Sequence, residues 1–148
     1  MTEHRHNVRI YYEDTDLSGL VYHANYLRYM ERAREHLIGP EELVRLYDED
    51  GVGFVVYHAQ LTSKQGARLG DVIQVRTTVE AESDYRLVFQ QNTWRGETFV
   101  GVIYALTNVV ASLRRVSDTG TKLQTALSSS DRVATLLYAD GEPTGLLR

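Results

Sequence analysis

The sequence predicts an α+β domain, with one long helix packed on one face of an antiparallel sheet. Three observations carry this. Residues 7–13 alternate, Val8, Ile10 and Tyr12 against Asn7, Arg9 and Tyr11, which is the period of a half-buried strand. Tyr26, Met30, Ala33 and Leu37 then recur at i, i+4, i+7 and i+11, a single helical stripe. From Gly53 onward the chain returns to strand-like segments, and a strand, a long helix and then a run of strands is the order of a segregated α+β architecture.

The first strand gives way at residues 14–19, where Asp, Thr, Ser and Gly supply turn chemistry. In the helix that follows, Leu27 and Ile38 widen the stripe, Asn25 stands where an N-cap would accept a first-turn N–H, and Gly39-Pro40 ends the helix. About fourteen residues at ~1.5 Å rise span roughly 20 Å, enough to back a sheet. Glu31, Arg34 and Glu35 read as ordinary surface pairing. A shorter helix is expected over 41–47 and a second strand over 54–61. Val72, Ile73, Val75, Thr77 and Val79 mark the third strand, Leu87 and Phe89 the fourth, and Val100, Val102, Tyr104, Leu106 and Asn108 the fifth. Ser83-Asp84 and Gly96-Glu97 read as hairpin turns, which makes these strands antiparallel neighbours. Beyond about Ser117 the residues read as turn, short polar helix and tail. The expected organisation is one domain over 1–118 and a C-terminal extension of unassigned structure over 119–148.

Composition narrows the function. A chain of 148 residues suits one domain with a sizeable core. Sixteen Lys and Arg against 20 Asp and Glu give a net charge of −4, which argues against unspecific nucleic-acid binding. Cysteine is absent, which removes disulfides, thiolate zinc sites and a Cys nucleophile together. The polar N-terminus lacks a signal-peptide core, and the most apolar stretch, 99–111, is interrupted by Thr107 and Asn108 and is shorter than the ~20 residues a bilayer needs. A cytoplasmic location is expected.

No nucleophile elbow, Walker loop, Rossmann glycine pattern or H-E-x-x-H motif occurs. His4 and His6 read as exposed residues near the chain start, and Asp14-x-Asp16 is explained by turn formation as well as by cation binding. Residues 12–26 are different: Asp16 lies on the turn leaving a strand, and a helix starts nine residues later. Exposed N–H groups at a helix start carry partial positive charge and bind anions or developing oxyanions. A carboxylate beside such donors makes half of an acyl-transfer site, the donors polarising a carbonyl while the carboxylate attacks it or activates water. On spacing alone, turn capping accounts for Asp16 better than chemistry does.

Arg9-Ile10, Thr15-Asp16, Gly19, Val21, His23 and Tyr26, at these spacings, resemble the signature of 4-hydroxybenzoyl-CoA thioesterases. Tyr-Glu-Asp-Thr-Asp followed by Val-Tyr-His-Ala-Asn-Tyr and Glu-Arg-Ala-Arg is most similar to the acyl-CoA thioesterase branch associated with Tol–Pal genes. The match covers about residues 7–38, with weaker agreement through 67–71 and the later strands. The resemblance implies the hotdog fold, a long helix wrapped by a curved antiparallel sheet of about five strands. It also implies a homodimer or homotetramer with sites at the subunit interface. Asp16 is then the catalytic carboxylate. His23 supplies a backbone N–H to the thioester oxygen, and Tyr12 and the His23 side chain support the acid. Leu20 stands where the signature has Ile or Val, and Gly66 replaces the proline usual before Ala67-Arg68.

The implied reaction is hydrolysis of an acyl-CoA thioester to a free acid and CoA. No metal or redox cofactor is expected, and CoA enters only as part of the substrate. Arg68, Arg95, Arg114, Arg115 and Lys122 are cations that could meet CoA phosphates, and none is assigned. Two rival readings stand beside this one: a thioesterase acting on acyl-carrier protein in a polyketide or fatty-acid pathway, and a non-catalytic acyl-binding hotdog domain.

Overall fold

The computed structural model describes residues 3–83 and 86–112, so the extension expected over 119–148 lies outside the described residues. Strand β1 (His4–Arg9) leads through a 3-10 turn (Tyr12–Asp14) to helix α1 (His23–Ile38), a short helix α2 (Pro40–Arg45) and one π-helical turn (Leu46–Asp50). Strands β2 (Val52–Ser63), β3 (Val72–Ser83), β4 (Arg86–Arg95) and β5 (Thr98–Ser112) follow. All pairings are antiparallel, and the sheet order is β1-β3-β4-β5-β2. A long helix against a five-stranded antiparallel sheet is the hotdog arrangement that the resemblance implies.

The helical stripe is the buried one: Tyr26, Tyr29, Met30, Ala33, Leu37 and Ile38 share a core with Val8, Ile73, Val75, Val79, Leu87 and Phe89 from the sheet and with Ile10 just after β1. Alternation sets which sheet residues point inward. On β4 the inward positions are Leu87, Phe89, Gln91 and Thr93, so the face turns polar halfway along. The register sets Gln91 opposite Thr77 of β3, and its side-chain amide donates to the Thr77 hydroxyl at 3.0 Å and to the Met30 carbonyl at 3.0 Å. Arg34 completes this buried polar band by donating to Gln91 Oε1 at 2.7 Å. Arg34 is therefore not a surface-pairing residue as expected; it is 8% exposed. Its place four residues after Met30 carries it onto the inward stripe.

Three other expectations change. β1 ends at Arg9 because the next residues bond elsewhere. The Ile10 amide and carbonyl pair with Asp71 and Gly70 at 2.9 and 3.1 Å, and the Asp14 carboxylate takes the Tyr11 amide at 2.8 Å, closing the 3-10 turn. Helix α1 starts two residues before Asn25, with Tyr22 as its N-cap. The Asn25 side chain instead donates to the Asp14 carbonyl at 2.9 Å, which also accepts the Tyr22 amide at 2.9 Å. His4 and His6 lie within β1, both part-buried, and the His6 ring stacks on His36 of α1 at 4.4 Å.

The expected turn at Gly96-Glu97 joins β4 and β5, with Gly96 at a φ of 58°. Asp84 of the other expected turn lies outside the described residues.

Candidate active site

Between β1 and α1 the chain folds into a narrow double-back. Thr15 bridges Val21, the Asp16 amide bonds the Leu20 carbonyl at 2.8 Å, and the Gly19 amide closes a turn on the Asp16 carbonyl at 3.0 Å. Gly19 has a φ of 79°, a left-handed conformation that costs a residue with a Cβ, so glycine suits the turn's last corner. The β2–β3 connection holds the double-back in place. The Val21 amide donates to the Ala67 carbonyl at 2.9 Å, and the Ala67 amide donates to the buried Tyr26 hydroxyl at 3.0 Å. Asp71 braces the same connection by accepting the Arg68 amide at 2.9 Å and Arg95 at 3.0 Å, contacts that hold its carboxyl below the usual range. Of the cations open to CoA phosphates, Arg95 is thus engaged with Asp71.

The two positions at which the sequence departs from the family signature touch each other here. A Cβ built on Gly66 would lie 3.1 Å from both terminal methyls of Leu20. The Leu20 side chain therefore packs against the bare Cα of Gly66. Neither position alone announces this in the sequence, because the residues are far apart along the chain.

Asp16 sits on the solvent side of the turn. Its Oδ1 accepts the Ser18 amide at 2.8 Å and the Ser18 hydroxyl. These bonds, the hydroxyl first, hold the carboxyl below its ordinary value, with the Leu20 amide and the nearby His23 pulling the same way. Both Ser18 bonds fall on Oδ1 and neither on Oδ2.

His23 is the first residue of α1, and no side chain caps the helix. Among the described residues the His23 and Ala24 amides have no acceptor, which leaves two donors of the first turn open. The exposed His23 ring leans on Tyr22, with centroids 4.5 Å apart. Tyr12 is brought near through its backbone: its carbonyl accepts the Thr15 hydroxyl at 2.8 Å and the Thr15 amide at 3.2 Å. The Tyr12 side chain is 81% exposed and makes no hydrogen bond to Asp16. The fold therefore sets Asp16 on the turn before α1, near enough for His23 to act on its carboxyl, while the Tyr12 phenol stands outward. Tyr11, Leu17 and Tyr22 are exposed on the same segment as Asp16. Among the described residues no group of three His, Cys, Asp or Glu is placed to hold a metal ion.

Comparison with known proteins adds four findings. Residues 10–127 match the family model described as the thioesterase-like superfamily. An acyl-CoA thioesterase YbgC of Helicobacter pylori is 40% identical over 84 residues, which is 56% of this chain and 62% of that protein's length. A probable thioesterase from Bartonella henselae superposes with a TM-score of 0.70 at 25% identity, over 76% of this chain and 94% of that one. A 4-hydroxybenzoyl-CoA thioesterase solved with 4-hydroxybenzoyl-CoA shares the fold, with a TM-score of 0.66 at 18% identity over 74% of this chain and 84% of that one.

Proposed function

The chain belongs to the thioesterase-like superfamily, and from that premise we propose that it hydrolyses acyl-CoA thioesters. The reading rests chiefly on one juxtaposition. An ionised carboxylate with one oxygen free of the Ser18 bonds lies within electrostatic reach of His23 at the helix start, where the first two amides lack acceptors. In this proposal the His23 amide, with Ala24 beside it, takes the thioester oxygen, where one such donor is worth ~2.7–4 kcal/mol of barrier. Asp16 Oδ2 attacks the acyl carbon, the carbon–sulfur bond breaks, and the CoA thiolate takes a proton from water. Water then cleaves the acyl–aspartyl anhydride, releasing the acid and restoring the carboxylate. A carboxyl held below its usual range is a weak proton acceptor, which favours direct attack over base-assisted attack by water.

A second copy of the chain completes the site. The exposed Tyr11, Tyr12, Leu17 and Tyr22 around Asp16, and the outer edge of β2 with exposed Val55, Val56 and Tyr57, supply the apolar surface that such a copy would cover. Covering it removes water from the carboxylate and strengthens every charge interaction in the site. The assembly is a homodimer or homotetramer, and the Tyr12 phenol and His23 ring support the acid within it. Residues 1–118 act as one domain in the cytoplasm, with 119–148 as an extension. The reaction needs no metal or redox cofactor. No helix among the described residues is long and apolar enough to cross a membrane.

The experiment is thiol release over a panel of acyl-CoA esters, comparing wild type with Asp16→Asn, which keeps an acceptor for Ser18. Turnover should drop by about 10²–10⁴ with an unchanged melting temperature. Equal rates would remove Asp16 from catalysis. Release from acyl-carrier protein, but from no CoA ester, would transfer the substrate to the carrier.

A further inference from the structure

A cavity of about 430 Å³ opens between β1 and the first half of α1, and none of Asp16, His23 and Tyr12 lines it. Arg9 reaches it from the strand, and Arg28 and Arg32 from the helix. The two helical arginines are four residues apart and so stack on one face, an arrangement that repels unless an anion lies between them. Some guanidinium groups elsewhere in the molecule meet carboxylates, Arg45 with Glu42 and Glu49, Arg95 with Asp71 and Arg5 with Glu3, whereas Arg34 and Arg76 donate to the amides of Gln91 and Gln74. Among the described residues no carboxylate lies within ion-pair distance of Arg9, Arg28 or Arg32.

Two acids, Glu13 and Asp14, share the wall with the three arginines, so the lining keeps one net positive charge. Asp14 is committed to the Tyr11 amide at 2.8 Å, and Glu13 is exposed. Tyr29 also lines the wall, 2% exposed, and its hydroxyl has no partner at hydrogen-bonding distance. Burial, with the Asp14 carboxylate nearby, pushes that hydroxyl well above its ordinary pKa, so it stays a donor. Burial and the neighbouring His36, His4 and Arg32 pull His6 below the usual histidine range, leaving the arginines to carry the charge at neutral pH.

We infer that this cavity binds a phosphate group of a phosphorylated small molecule, gripped by Arg28 and Arg32 from the helix and Arg9 from the strand. Guanidinium forks match phosphate oxygens in pairs, and the volume falls in the range of small-molecule pockets rather than of a lone ion. The phosphate could belong to a CoA ester or to a separate effector. The inference does not depend on Asp16 or on hydrolysis.

The test is calorimetric titration with pyrophosphate and with CoA at fixed ionic strength. Three proteins are compared: wild type, Arg28→Gln/Arg32→Gln, and an Arg5→Gln/Arg86→Gln control that loses the same charge elsewhere. The cavity variant should bind about tenfold more weakly or worse, and the control should stay near wild type. Without ligand the cavity variant should melt no lower than wild type, because a like-charge pair has been removed. Competition between pyrophosphate and acyl-CoA in the hydrolysis assay would assign the phosphate to the substrate, whereas binding without competition would assign it to an effector. Absence of binding by wild type, equal weakening in both variants, or a lower melting temperature in the cavity variant would overturn the inference.

Discussion

Helix α1 begins against a turn whose side chains face solvent and ends with its side chains sunk into the sheet. At its start the chain is held by backbone bonds, Asp16 to Leu20 and Val21 to Ala67, while Asp16, Leu17, Tyr22 and His23 stay uncovered. Four turns on, Arg34, Leu37 and Ile38 are buried, and even the charge is taken up by Gln91. The difference teaches which interactions specify shape and which leave a group available. Backbone bonding fixes the turn without consuming its side chains, so Oδ2 of Asp16 and the first amides of α1 remain open. The side-chain bond between Arg34 and Gln91 commits both groups, and its result is stability.

The contrast breaks most visibly at Gln91. Gln91→Ala removes one acceptor of a buried guanidinium and leaves a void beside Phe89, and it should destabilise the fold by about 2–3 kcal/mol. Arg34→Met combined with Gln91→Leu should recover most of that loss, since an apolar pair of similar volume replaces the charge. Urea denaturation measures both variants, and kcat per folded molecule should be unchanged. A fall in kcat that tracks neither stability nor folded fraction would mean that the helix middle and the site are not separate.

Gly66 and Leu20 test the opposite region at smaller scale. Gly66→Ala drives a Cβ to 3.1 Å from the Leu20 methyls and should cost about 1–3 kcal/mol, with a loss of turnover because Leu20 is the backbone partner of Asp16. Leu20→Val in the same chain should relieve most of that cost. A double-mutant cycle with no coupling would show that the two departures from the family signature are unrelated.

The sequence made these regions legible to different degrees. Tyr26, Met30, Ala33 and Leu37 identified the helix, and Leu87 and Phe89 the inward face of β4, because burial imposes a period that neighbouring residues display. Arg34 reads as a surface residue by its type, and only its place on the stripe and its Gln91 partner mark it as buried. Asn25 was misplaced as a cap because the Asp14 carbonyl, eleven residues away, competes for its side chain. The pairing of β1 with β3 and of β2 with β5 depends on partners far along the chain, which no local pattern carries. At the candidate site the turn at 14–19 and the helix start were readable. The division of Asp16 into one occupied and one open oxygen was not, since it depends on the rotamer that Ser18 holds.

That last feature gives the smallest expected effect and the sharpest view of the uncovered region. The Ser18 hydroxyl is the leading cause of the depressed Asp16 pKa. A depressed carboxyl stays ionised to lower pH, so whatever it contributes is present above its unfolded value and disappears as pH falls through the folded value. Because Asp16 is exposed, the effect belongs to the pH dependence of activity rather than to stability. Ser18→Ala keeps the backbone bond and removes the hydroxyl, so the acid limb of kcat/KM should move to higher pH, with little change in melting temperature. Ser18→Thr retains a hydroxyl and should leave the limb near its original position. An acid limb indifferent to both substitutions would mean that the titrating group is not Asp16, and that the open end of α1 is merely exposed.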